Sequence, residues 1–119
     1  MADSRKMIRI NDEIKEQVAN IISQDVNDPR LSPLVTVVRA DTTSDLKYCK
    51  VYISVMGDDE NKKNSLIALK AAAGFIRKEL ARKIKIRNTP ELTFILDESL
   101  DHSIRITEIL KEVNGENNG

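Results

Sequence analysis

Tyr48-Cys49-Lys50-Val51-Tyr52-Ile53-Ser54-Val55 is the stretch that decides the fold class. Side chains alternate across a strand, so Cys49, Val51, Ile53 and Val55 share an apolar face, and Tyr48, Lys50, Tyr52 and Ser54 share a polar one. The alternation and the β-branched content predict a strand over 48–55, buried on one face and solvated on the other. Cys49 then reads as a small core residue rather than a nucleophile. Upstream, Val35-Thr36-Val37-Val38-Arg39-Ala40-Asp41 predicts another strand. The linker 42–47 is short and turn-rich, so an antiparallel hairpin is the economical connection.

Helical periodicity lies on either side of this pair. Met7, Ile10, Ile14, Val18, Ile21 and Ile22 recur at helical steps and predict a helix over about 5–26, with Asp3 and Ser4 as suitable caps. Pro29 ends that region, because the residue before a proline is pushed out of the helical well. After the second strand, Gly57-Asp58-Asp59-Glu60 breaks the chain and puts negative charge where a helix should begin. Leu66, Leu69, Ala73, Ile76, Leu80 and Ile84 then mark an apolar stripe to about residue 85. A glycine inside a helix costs about 1 kcal/mol relative to alanine. Gly74 therefore predicts a break or kink around Ala72-Ala73-Gly74, with a second helix after it. Glu91-Leu92-Thr93-Phe94-Ile95-Leu96-Asp97 reads as a third strand, followed by a weak helical stripe in Ile104, Ile109, Leu110 and Val113. The order is that of an α+β domain, a three-stranded sheet with helices on one face and a kinked helix pair. Residues 1–113 are expected to form one domain and 114–119 a mobile polar tail.

Composition narrows the chemistry. Leu, Ile, Val and Phe make up 34 of 119 residues, enough for one core. One cysteine cannot close an internal disulfide, and no stretch approaches the roughly 18 apolar residues of a membrane span. The start of the chain lacks the apolar run of a signal peptide, so a cytoplasmic protein is expected. One His and one Cys exclude a His/Cys zinc site within the chain, and no phosphate-binding glycine motif is present. Asp97, Glu98 and Asp101 could in principle hold a divalent cation, but read better as a polar turn. His102 reads as a lone exposed residue. The expectation is no enzyme, no metal and no cofactor.

The formal net charge is zero, yet the charges are segregated. Residues 70–87 carry Lys70, Arg77, Lys78, Arg82, Lys83, Lys85 and Arg87 against Glu79 alone, whereas 97–119 are net acidic. Such a pairing suits a polyanion-binding surface, although two solvated faces of opposite sign would look the same. At about 100° per residue with Arg77 at the origin, Lys85, Lys78 and Arg82 fall at about 80°, about 100° and about 140°. Ile76, Leu80 and Ile84 fall at about 260°, about 300° and about 340°. The apolar stripe can thus dock on the sheet while the cations face outward. Lys83 lies at the edge, four residues from Glu79, where an intrahelical ion pair is expected. Phosphate contacts need this geometry and supply affinity without reading sequence. With only Tyr48, Tyr52, Phe75 and Phe94 as aromatics, recognition by shape and phosphate is expected over base stacking.

Several separate segments then carry a resemblance: Asp28-Pro29-Arg30-Leu31; Asp45-Leu46; Cys49 through Gly57; Leu69 through Leu80 with Gly74-Phe75-Ile76-Arg77; Arg87-Asn88-Thr89-Pro90-Glu91-Leu92-Thr93-Phe94; and Asp97-Glu98-Ser99. In this order, over roughly 5–110, they resemble the bacterial ribosome-binding factor A family. The resemblance implies a KH-like fold of type II order, αββααβ, in which an Ala-x-Gly kink, matched by Ala72-Ala73-Gly74, replaces the usual glycine loop. It implies a non-catalytic assembly factor that binds the small (30S) ribosomal subunit and its 16S rRNA during late maturation, often important in the cold. Members often carry a longer C-terminal extension. By position, Lys70, Arg77, Lys78, Arg82, Lys83, Lys85 and Arg87 would face RNA, with Gly74 allowing close approach. Arg5, Lys6, Arg9 and Arg30 are further candidates, and Arg30 has the alternative of pairing with Asp28. The free protein is expected to be a monomer with no membrane or small-molecule partner. The competing reading is a protein-interaction module that uses an acidic C-terminal helix and the open sheet face.

Overall fold

The computed structural model describes residues 3–97; the predictions for Glu98, Asp101, His102, the stripe 104–113 and the tail 114–119 lie outside them. Helix α1 (Asp3–Asp25) precedes strands β1 (Val35–Thr42) and β2 (Tyr48–Val55), helix α2 (Asp59–Lys83) and strand β3 (Glu91–Leu96). The sheet order is β1-β2-β3. Strand β2 pairs antiparallel with β1, the expected hairpin, and parallel with β3. Parallel neighbours need a long crossover, and α2 is that crossover. Both helices cover one face, α1 mainly over β1 and α2 mainly over β3. No described helix is long and apolar enough to cross a membrane.

Strand parity holds as the alternation requires. Cys49, Val51, Ile53 and Val55 are buried, Tyr48 and Lys50 are exposed, and Tyr52 and Ser54 are half-buried. Ile10, Ile14, Val18, Ile21 and Ile22 of α1 meet Leu69, Ile76 and Leu80 of α2 in one core with Leu92 and Phe94 of β3. Burial pushes the Cys49 thiol above its ordinary range, because desolvation disfavours the thiolate. In β1 the alternation slips: a bulge between Val37 and Arg39 moves the buried positions to Val37, Ala40 and Thr42. Arg39 thereby comes opposite Tyr52 on the open face, its guanidinium carbon 3.9 Å from the ring centroid.

Helix α2 corrects the expected break. It runs unbroken through Ala72-Ala73-Gly74 as a single 25-residue helix. One glycine weakens a helix without interrupting its hydrogen-bond ladder, and buried Leu69 and Ile76 hold both sides of Gly74 against the sheet. The N-terminus of α2 is as its sequence demands. Gly57 has φ +134°, and a Cβ there would stand 2.7 Å from Asn61 Nδ2. Asp58 caps the helix by accepting a hydrogen bond from the Asn61 amide at 2.8 Å. The helix ends earlier than expected, with Ile84 already extended (φ −124°, ψ 142°). At the other end of the chain α1 begins by Asp3, so Asp3 and Ser4 fall within its first turn.

Polar ties fix the connections. The Ser32 amide donates to the fully buried Ser65 Oγ at 2.9 Å, locking the link between α1 and β1 to α2. Removing that acceptor orphans a part-buried amide, at a cost of about 1–2 kcal/mol. Ser65→Ala should therefore lower the urea midpoint of unfolding with an unchanged m-value. A thiol reagent at mildly alkaline pH should label Cys49 rapidly in denaturant and only at the rate of opening in native protein; fast native labelling would contradict the burial described.

Candidate nucleic-acid interface

The buried side of α2 is set by Ser65, Ala68, Leu69, Ile76 and Leu80. The opposite side is left to solvent, and on it Lys63, Lys70, Arg77, Lys78 and Arg82 are all exposed. On the helix wheel these five span an arc of about 140°. No acidic residue enters the arc between Asn61 and Lys83. Its middle is flat: Gly74 and Ala71 lie between the cations, and a Cβ added at Gly74 would meet nothing within 4 Å. Phe75, beside Gly74, is 45% exposed, and Ile67, about two turns earlier, is 40% exposed. An unobstructed glycine on an exposed helix face leaves room for a sugar-phosphate backbone to approach closely.

The arc departs from the sequence expectations in several places. Lys63, Ile67 and Phe75 were not among the candidates, and their spacing on the wheel is the signal that could have found them. Lys83 falls outside the arc, and Glu79 pairs with Arg82 at 3.8 Å instead of with Lys83. That ion pair leaves Arg82 mostly exposed (68%), so it contributes little to stability and leaves the guanidinium accessible. Arg77 has a structural task as well. Its Nε and Nη2 donate to the Thr89 carbonyl at 3.2 and 2.9 Å, which ties α2 to the segment leading into β3. Two of its five donors are thereby committed.

Lys85 and Arg87 do not sit on the helix, because α2 stops at Lys83. They are carried by the irregular segment 84–90, which the Asn88 side chain anchors by donating to the Leu46 carbonyl at 2.8 Å. There they line a groove with Lys6 and Arg9 of α1. Arg5 is exposed but is not part of that lining. Arg30 takes the structural alternative. Its Nε and Nη2 donate to the two Asp28 carboxylate oxygens at 3.1 and 2.7 Å, and its amide donates to Oδ1 at 2.9 Å. These hydrogen bonds hold the Asp28 carboxyl below the usual carboxylate range.

The open sheet face is mixed in character. Lys50 stands opposite Asp41 and Thr93, Tyr48 opposite Glu91, and Arg39 is stacked on Tyr52. Among the described residues no group of three or more His, Cys, Asp or Glu could hold a metal ion.

Comparison with known proteins assigns the chain to one family. The family profile described as Ribosome-binding factor A matches residues 6–110. The Ribosome-binding factor A of Clostridium botulinum (strain Okra / Type B1) is 50% identical over 105 residues, 88% of either chain. The crystal structure of ribosome-binding factor A from Thermus thermophilus superposes with a TM-score of 0.67 at 28% identity, covering 76% of this chain and 94% of that one. A Thermus thermophilus ribosome binding factor A homology model, fitted into the cryo-EM map of a 30S–RbfA complex, matches with a TM-score of 0.60 at 28% identity, over 74% of this chain and 91% of that one. With a profile match across most of its length and a relative half identical to it, the chain belongs to the ribosome-binding factor A family.

Proposed function

We propose that this chain is a non-catalytic, cytoplasmic assembly factor that binds the small (30S) ribosomal subunit through its 16S rRNA, during late maturation and rRNA processing. Residues 1–113 act as one RNA-binding domain, monomeric when free. The observation that carries this reading is the acid-free cationic face of α2, in a chain whose Thermus relative was placed in a 30S complex. The face suits a polyanion on geometric grounds. Its cations stand on a helix whose other side is locked in the core, so no backbone ordering is required when phosphates dock.

Gly74 supports the reading from the side of stability. It lowers helix stability by about 1 kcal/mol relative to alanine, with no neighbour that requires its missing side chain. A requirement imposed by a partner would account for it: the flat surface lets an RNA backbone approach the helix closely. Importance in the cold follows the same line, because rRNA helices trapped in wrong pairings escape more slowly at low temperature.

Co-sedimentation with immature and mature small subunits across a salt series tests the reading. Lys70→Glu/Lys78→Glu is the informative variant, since neither residue has a structural task comparable to that of Arg77. Wild type should bind with an affinity that falls as salt rises. The variant, folded by circular dichroism, should bind at least about tenfold more weakly, with a shallower salt slope. No sedimentation of wild type would refute the assembly-factor reading. Gly74→Ala separates stability from function. Free protein should gain about 1 kcal/mol in a denaturant melt, while subunit binding weakens several-fold. A stabilised variant with unchanged binding would remove Gly74 from the interface.

A further inference from the structure

Lys6 and Arg9 on the first turns of α1 and Lys85 and Arg87 on segment 84–90 are nearly eighty positions apart in the chain, yet they line one groove of about 580 Å³. All four are exposed, and among the described residues none of them is in an ion pair. Glu13 is the one acid in the lining. Four cations around a single concavity, with no ion-pair partner among the described residues, repel one another, and a bound polyanion relieves that repulsion. The lining is part polar and part apolar. Buried Ile10 and Leu46 form its floor, and half-buried Met7 and Ile86 line it beside them.

From this arrangement we infer that the groove is a second RNA site, distinct from the face of α2, and that it takes a single-stranded segment. The inference rests on the reading above that the chain binds ribosomal RNA. Phosphates of the strand sit on the rim cations, while one unstacked base turns inward against Met7, Ile86 and the apolar floor. A duplex cannot use such a site. Its bases stay stacked inside, and its sugar-phosphate surface is convex where the groove is concave. A single strand can splay a base at modest cost and keep its backbone in the basic rim. The α2 face has the opposite character, flat and without a cavity, and is suited to backbone contacts with structured RNA.

The two sites share one stretch of the sequence. Segment 84–90 supplies Lys85 and Arg87 to the groove, while its Thr89 carbonyl is held by Arg77 from α2 and its Asn88 side chain holds the Leu46 carbonyl. Leu46 is itself buried in the groove floor with φ +61°, a left-handed conformation that a leucine rarely adopts. The groove's shape is thus set by tertiary ties and does not depend on the RNA to form it.

A crossed binding experiment on the full chain decides the matter. The probes are a short labelled oligouridylate and a labelled RNA duplex, followed by fluorescence anisotropy at low salt. The proteins are wild type, Arg9→Glu/Arg87→Glu and Lys70→Glu/Lys78→Glu, each required to melt as wild type. Arg9→Gln/Arg87→Gln stands in should the charge reversal unfold the protein. The groove pair should weaken oligouridylate binding about tenfold, through loss of two phosphate contacts and the contact surface between them, and should leave the duplex within about threefold. The α2 pair should do the reverse. Wild type that ignores oligouridylate overturns the inference. So does a groove pair that binds oligouridylate like wild type, or a matched loss of both probes in both variants. Subunit co-sedimentation of wild type is run alongside. If wild type sediments with subunits while its oligouridylate binding ignores the groove, only this inference falls; if wild type does not sediment, the functional reading itself fails.

Discussion

One apolar face on one central strand organises this molecule. Strand β2 has hydrogen-bonded neighbours on both sides, so its Cys49, Val51, Ile53 and Val55 face can be kept from water only by cover from above. Each of the larger of these side chains contributes about 1.5–3 kcal/mol when fully buried. The cover comes from two helices that must lie on the same side. The parallel pairing of β2 with β3 forces one of them, α2, to be the crossover between those strands. Once α2 is pinned by Leu69, Ile76 and Leu80, its other side has nowhere to go but solvent. The cationic face is a geometric consequence of how the core is closed.

The segment after α2 does as much to shape the basic surface as the helix itself. It contains the residues Arg87-Asn88-Thr89-Pro90, which in sequence look like a simple turn before a strand. In space it is stitched on three sides: Arg77 to the Thr89 carbonyl, Asn88 to the Leu46 carbonyl, and the Glu91 amide to the Lys47 carbonyl at 2.9 Å. These ties bring the hairpin turn, the end of α2 and the start of β3 to one place. They also explain why Leu46 can hold a left-handed conformation, since its side chain is buried and its carbonyl is engaged. Motif residues scattered over forty positions are in this way parts of one junction.

Gly74 shows the limit of local reasoning. A glycine amid Ala72, Ala73 and Phe75 is a sound reason to expect a break, yet the helix passes through it without interruption. The ladder on either side is anchored by core contacts that a single unfavourable residue does not outweigh. What remains is a helix with a bare patch on its outer side and an exposed phenylalanine beside it. That combination has no use inside the molecule, and it falls at the centre of the acid-free arc.

The sequence by itself determined the elements and their faces. Strand alternation and helical steps are local periodicities, and they located β2, β3 and α1 to within a few residues and the extent of α2, though not its continuity through Gly74, together with the buried side of each. They also put Arg77, Lys78 and Arg82 on one outward arc of about 140°, because the 100° step per residue fixes their relative directions wherever that helix docks. Tertiary structure decided the rest. The parallel placement of β3 beside β2, the bulge that turns Arg39 onto Tyr52, and the union of Lys6 and Arg9 with Lys85 and Arg87 all depend on contacts between distant segments. No local period encodes such contacts. They are selected by which closed arrangement buries the apolar faces together while leaving each backbone polar group a partner.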